Sequence, residues 1–280
     1  MLALVAALSL AIGVVLGMLG GGGAILTMPM LVYAAALDTK PAIATSLFVV
    51  GTTSAVATIV HARARNVEWK VGGLFGVAAM VGAFFGARLA QYIPGAVLLL
   101  AFALVMLVTA TAMLKERRTA TTDAPRLAVD RTLVLGASVG LLSGLVGAGG
   151  GFLIVPALTI FGGLAVPRAI GTSLFVIALQ SSAGLAGHLA HVELDWTLAL
   201  VVSGAAVLGS LIGAAVGRKV SPERLRQAFA WLVIGMGLFV FAKELPPIVA
   251  ALASATALGA IFLATRRSPE LRPHGANEGR

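Results

Sequence analysis

The chain writes one segment twice. Gly17-Met-Leu-Gly-Gly-Gly-Gly-Ala-Ile-Leu-Thr-Met-Pro29 returns as Gly144-Leu-Val-Gly-Ala-Gly-Gly-Gly-Phe-Leu-Ile-Val-Pro156, an offset of 127 residues. At that offset, with no gap, Thr45-Ser46-Leu47-Phe48-Val49 meets Thr172-Ser173-Leu174-Phe175-Val176. His61 meets His188, Trp69 meets Trp196, and Gly82 and Gly86 meet Gly209 and Gly213. Two related halves must therefore pack against each other. In an apolar chain that is a plan of secondary transporters, which place their site between the copies.

Composition supplies the apolar half of that argument. Hydrophobic residues make up 59% and charged residues 11% of 280, and mean hydropathy is +1.01. This is an all-α polytopic membrane protein rather than a soluble domain. With Cys at 0 there is no disulfide frame and no thiol chemistry. Residues 1–16 lack the basic start of a signal peptide and read as structure. The net charge of +9 reads as basic cytoplasmic loops, not as nucleic-acid binding.

Apolar runs at 41–62, 70–92, 95–114, 168–187, 196–217, 227–245 and 248–264 each suit one transmembrane helix. The stretches 2–37 and 132–165 are too long for one crossing and are broken by glycines into arms of about 15 residues. Such an arm reaches only about 22 Å, short of a hydrocarbon core near 30 Å. Both are therefore expected to turn back as re-entrant hairpins. With a cytoplasmic tail, that model leaves only Lys40, Arg88 and Lys243 outside, of 20 basic residues. If both stretches crossed, the cytoplasmic basic residues would fall to about nine, so the positive-inside rule selects the hairpins. A hairpin plus three crossings is odd in number, so the two copies are inverted. The expected layout is a first repeat at 1–114, a cytoplasmic linker at 115–131, a second repeat at 132–245, an extra helix at 246–265 and a cytoplasmic tail at 266–280.

All acidic residues fall in loops, linker or tail, from Asp38 and Glu68 to Glu270 and Glu278. Cation-coupled transporters commonly carry intramembrane carboxylates, so their absence argues against a metal cation or amine as substrate and against an embedded enzyme. The glycine clusters point the other way. A broken helix exposes N–H groups and the positive end of its dipole, and Gly22, Gly23, Gly149 and Gly150 let that backbone approach an anion. The plain alternative is that they only make the turn. Neither cluster is a P-loop or a dinucleotide fingerprint. Thr45, Ser46, Thr172 and Ser173 offer hydroxyls to an oxyanion or to their own backbone. Thr52, Thr53 and Ser54, with Gln180, Ser181 and Ser182, are mid-span polar patches that commonly bridge helices. Gln180 is the best ligand candidate among them, having both donor and acceptor. His61 and His188 are a proton-coupling or gating pair, or else interfacial histidines stacked near Trp69 and Trp196. The four-residue glycine spacings at Gly72/Gly76, Gly82/Gly86 and Gly209/Gly213/Gly217 are helix contacts. Arg88 snorkels or attracts anions on entry.

The paired glycine segments ending in Pro29 and Pro156, the Ala-Ile-Ala-Thr-Ser and Ala-Ile-Gly-Thr-Ser runs, and the downstream His61 and His188 resemble the sulfite exporter TauE/SafE family over about residues 5–245. The resemblance implies a bacterial inner-membrane permease for a sulfur oxyanion or organosulfonate. The expected function is a non-enzymatic secondary transporter working by alternating access, with an anion-selective channel as the alternative. Its expected partners are a small anion, the bilayer and a second copy in a homodimer. No cofactor, metal or nucleic acid is expected.

Overall fold

The computed structural model of the chain describes residues 2–19, 24–115, 129–147, 154–155, 157–217 and 222–245, and every regular element among them is helical. In chain order these are α1 (Leu2–Leu19), α2 (Thr27–Tyr33), α3 (Thr39–Arg63), α4 (Trp69–Ala90), α5 (Gly95–Lys115) and α6 (Val129–Val146). A π-helical turn at Ala157–Phe161 follows, then α7 (Val166–Leu189), α8 (Trp196–Gly217) and α9 (Pro222–Glu244). Five helices among the described residues are long and apolar enough to cross a membrane: Thr39–Arg63, Trp69–Ala90, Val129–Val146, Pro167–Leu189 and Trp196–Val216. The molecule is a multi-pass helical membrane protein. The expected helix at 248–264 lies outside the described residues, as does most of the linker.

One length expectation is corrected. The first arms of the two glycine-broken stretches, α1 and α6, are 18 residues each. At 1.5 Å per residue each reaches about 27 Å, not 22 Å. The arms are unequal: α2, on the far side of the first break, is only 7 residues. The apolar residues before the glycines continue the helices down to Leu19 and Val146. At Gly147 the chain leaves α6 with φ +70, and an added Cβ would meet Ile43, so glycine is required there.

Helix ends follow local chemistry. Pro41, Pro167 and Pro222 sit in first turns, where a missing N–H costs nothing. α3 stops in a Schellman turn: Arg65 takes φ 56, and the Asn66 N–H bonds to the His61 carbonyl at 2.9 Å. A second turn shows the duplication directly. Leu37 N–H to Leu31 O and Leu164 N–H to Leu158 O, both 3.1 Å, are the same bond in the two copies. The positive-φ position between them is Ala36 in one and Gly163 in the other.

The repeat extends to whole helices. α1 and α6 match at both ends at the 127-residue offset, and so do α4 and α8. Packing then exchanges the copies. α1 lies along α8 as α6 lies along α4; α3 meets α8 as α7 meets α4; α3 crosses α7, and α5 meets α9. Glycines make the two tightest seams. A Cβ on Gly13 or Gly17 would strike the carbonyls of Ala206 and Ser210, and one on Gly209 or Gly213 those of Leu10 and Val14. The counterparts Gly140, Gly144, Gly82 and Gly86 face Ala79, Ala83, Ala137 and Leu141 in the same way. Backbone contact of this kind is how helices associate where lipid removes the hydrophobic drive. The glycine spacings expected to be helix contacts are such contacts at Gly82, Gly86, Gly209 and Gly213.

The equivalent helices α3 and α7 run antiparallel. Gly51 faces Ser181, Leu47 faces Gly184, and His61 with Asn66 faces Gly171. One number rises as the other falls.

Candidate functional site

The middle of the molecule is built where the two broken stretches approach α3 and α7. One buried apolar cluster contains Leu16 and Ala24 from the first stretch and Ile154 and Ala157 from the second. It also contains Val50 of α3 and its counterpart Ile177 of α7. Residues beside the glycines of both stretches thus share one buried cluster with mid-helix residues of the two antiparallel helices. Gly22, Gly23, Gly149 and Gly150, the expected anion contacts, lie outside the described residues.

The Thr-Ser pairs stand beside this region. Ser46 donates to the Gly147 carbonyl at 2.9 Å, tying α3 to the point where the second stretch breaks. Its counterpart Ser173 instead donates back to Ile170 at 2.8 Å. Thr172 accepts the Glu68 backbone N–H at 2.9 Å, which holds the α3–α4 connection against α7. Thr45, Ser46, Thr172 and Ser173 are all buried. Three of these four hydroxyls thus already have structural work, two of them with a partner in the other copy. Gln180 is fully buried in the middle of α7. Thr52 and Thr53 back-bond to their own helix, Thr53 to Val49 at 2.6 Å.

The two histidines differ. His188 is buried and its Nε2–H donates to the Gly144 carbonyl at 2.8 Å, joining α7 to α6. His61 is half-buried, and its Nδ1 has no partner among the described residues. The tryptophans pack edge-to-face with phenylalanines of the opposite copy: Trp69 with Phe175 at 5.1 Å between centroids, and Trp196 with Phe48 at 5.7 Å. Those rings, rather than the histidines, are their partners. Among the described residues no group of three or more His, Asp or Glu side chains is placed to hold a metal.

The two ends of the α3–α7 pair are unlike. At one end Arg168 pairs with Glu68 at 2.7 Å, linking the start of α7 to the turn before α4. At the other, a cavity of about 530 Å³ opens between the start of α3 (Asp38 to Pro41), Gly95, and the His191 to Glu193 turn. At its rim Lys40 donates to the Gln91 carbonyl at 2.7 Å, and Arg88 Nη1 lies 3.1 Å from His191 Nε2. The arginine donates and the ring nitrogen accepts. Arg88 also covers the Phe84 ring at 5.5 Å. It reaches along the surface as a snorkelling side chain does.

A duplicated bundle of apolar helices seamed by glycines is a plan used by membrane transporters. The profile of the sulfite exporter TauE/SafE family matches residues 5–240, and the chain belongs to that family. It is 32% identical over 247 residues to a "Probable membrane transporter protein" of Xylella fastidiosa strain 9a5c, covering 85% of this chain and 94% of the relative. A protein of the same description from Methanocaldococcus jannaschii is 30% identical over 248 residues, covering 82% and 92%. The Bacillus subtilis "Probable membrane transporter protein YdhB" is 30% identical over 215 residues, covering 74% and 85%. No solved structure matches the chain. The protein is thus a membrane transporter of the TauE/SafE type.

Proposed function

We propose that the protein is a secondary transporter for a small sulfur-containing anion, such as sulfite or an organosulfonate, working by alternating access between two inverted repeats. The observation that carries the reading is the antiparallel packing of the equivalent helices α3 and α7, with residues of both glycine-rich stretches in one buried cluster with their middles. Antiparallel equivalents are what an inverted duplication produces, and a site at the junction of the copies is what such transporters use. The family supports a sulfur oxyanion as cargo.

In this reading the broken stretches are re-entrant, and their glycine tips at Gly22, Gly23, Gly149 and Gly150 turn N–H groups and positive dipole ends toward the anion. The linker and C-terminal tail are cytoplasmic and the membrane is the bacterial inner membrane, as the distribution of Lys and Arg favours. The Arg168–Glu68 end then faces the cytoplasm and the cavity beside Lys40 faces outward. Joined inside and open outside is one of the two states that alternating access requires. With the interior negative, the membrane potential favours anion export by about 2.3 kcal/mol per charge per 100 mV. No coupling ion is needed in that direction. His61 is better placed than His188 to take part in gating, because His188 is tied to Gly144. The protein works as a homodimer in the bilayer.

Proteoliposomes test this. Labelled sulfite, sulfate, sulfoacetate and taurine are offered in counterflow, and saturable exchange of at least one sulfur anion is expected. Single cysteines at Thr121 and Asp195 are expected to label from opposite sides of intact cells. Unitary currents without exchange would make the protein a channel, and labelling of both from one side would end the inverted reading.

A further inference from the structure

Hydroxyls inside these helices follow a rule with few exceptions. Ser9, Thr52, Thr53, Thr58, Thr109, Ser138 and Ser182 all donate to a carbonyl three or four residues back. That is the ordinary fate of a serine or threonine in a membrane helix. Ser54 and Ser181 depart from it. Both are 0% exposed, and neither hydroxyl has a partner among the described residues. They are also counterparts, 127 residues apart. The other two unpartnered serines, Ser143 and Ser203, correspond to Leu16 and Gly76, so theirs is not a paired feature.

Their position sharpens the point. Ser54 lies one turn beyond Val50 and Ser181 one turn beyond Ile177, the equivalent members of the central cluster. The facing pairs Gly51–Ser181 and Leu47–Gly184 place the exchange axis near Thr53 on α3 and Gln180 on α7. Each serine is thus within about two residues, roughly 3 Å along its helix, of that axis. Gly51 opposes Ser181, where an added Cβ would lie 3.3 Å from the serine Cβ. The two hydroxyls flank the junction of the copies in the middle of the molecule.

We propose that Ser54 and Ser181 are paired hydroxyl donors to the transported oxyanion. The inference rests on the anion-transport reading above and assigns residues to its site. A buried hydroxyl without a partner is unfavourable, and alanine would fill the same space. Carrying the hydroxyl at both equivalent positions makes sense if a ligand completes it. The donors are neutral, so they suit a cargo that must leave again, and two on opposite sides of an axis suit an ion presenting several equivalent oxygens. Of the Thr-Ser pairs nearer the helix ends, Ser46 and Thr172 tie the copies together and Ser173 bonds back to its own helix, whereas the axial pair has no such tie. A cation is disfavoured, since neither α3 nor α7 carries a carboxylate anywhere along its length.

The test uses the full chain in liposomes and nanodiscs, with sulfite as probe and sodium replaced by choline in a parallel arm. Ser54→Ala and Ser181→Ala are each expected to raise the sulfite KM about tenfold and the double variant about a hundredfold, the loss of one charge-assisted hydrogen bond each. Ser54→Thr, which keeps the hydroxyl, should stay within about threefold. Melting of the anion-free protein should be unchanged or higher in the alanine variants, because each removes an unpartnered buried hydroxyl, while the sulfite-induced thermal shift is lost. A double variant with wild-type KM overturns the proposal. So does a fall in anion-free melting temperature with KM unchanged, which would make the serines helix ties, or a defect that tracks sodium instead of sulfite. Wild-type protein inert toward every anion would end the transport reading itself, whereas an active wild type with an indifferent double variant ends only the serine assignment.

Discussion

The two ends of the α3–α7 pair carry the same scaffold and close differently. Each has a Thr-Ser pair in the opening turns of a long helix, a short connection packed against it and a tryptophan set edge-to-face with the other copy's phenylalanine. At one end Arg168 and Glu68 pair at 2.7 Å and Thr172 holds the Glu68 N–H. At the other, the counterpart of Arg168 is Pro41, which has no charge to offer. Asp195, the counterpart of Glu68, instead caps its own helix through the Leu198 N–H at 3.0 Å. That end holds the cavity. Duplication supplied two similar frames, and two differences, Pro41 for Arg168 and Asp195 for Glu68, leave only one of them with an ion pair. A transporter must favour neither end too strongly, and an exposed ion pair is a suitably weak fastening.

The seams common to both copies should give the largest effects. Gly17→Leu and Gly144→Leu each drive a side chain into a facing carbonyl, at Ser210 and Ala83. Each should cost about 3 kcal/mol or more, the upper range for overpacking, and lower the melting temperature in detergent to a similar degree. A large loss in one with none in the other would show that the copies are equivalent in sequence but not in energetics.

The histidines come next. His188→Ala removes a buried bond to Gly144 and should destabilise by about 1–3 kcal/mol, whereas His61→Ala, with no such bond, should cost under about 1 kcal/mol. Unfolding of the two variants side by side decides it. Equal losses would mean that His61 has a tie of its own.

The smallest stability effect belongs to the clasp itself. The Arg168 and Glu68 side chains are 56% and 36% exposed, so Arg168→Ala should cost less than about 1 kcal/mol. Accessibility should change more than stability: a cysteine at Asn66 should label faster once the pair is gone. Unaltered labelling would leave the ion pair as surface decoration, and the contrast between the ends would then rest on the cavity alone.

Much of this was legible in the chain because duplication is a one-dimensional signal. Matching Pro29 to Pro156 and Trp69 to Trp196 set the helix boundaries of one copy by those of the other, and α1/α6 and α4/α8 obey it at both ends. Hydropathy gave the helical, membrane-bound class, since a long apolar run must satisfy its own backbone inside a bilayer. The glycine spacings announced close helix contacts, because four-residue spacing puts small residues on one face. Only the tertiary structure decided which helix each seam meets, as a spacing names a face and not its partner. It lengthened the first arms to 18 residues. It also separated hydroxyls of identical chemistry, giving Ser46, Thr172 and Thr53 to backbone partners and leaving Ser54 and Ser181 open at the axis. Whether a hydroxyl is occupied depends on atoms far along the chain, at Gly147 and Glu68 for instance, and neither composition nor period records that proximity.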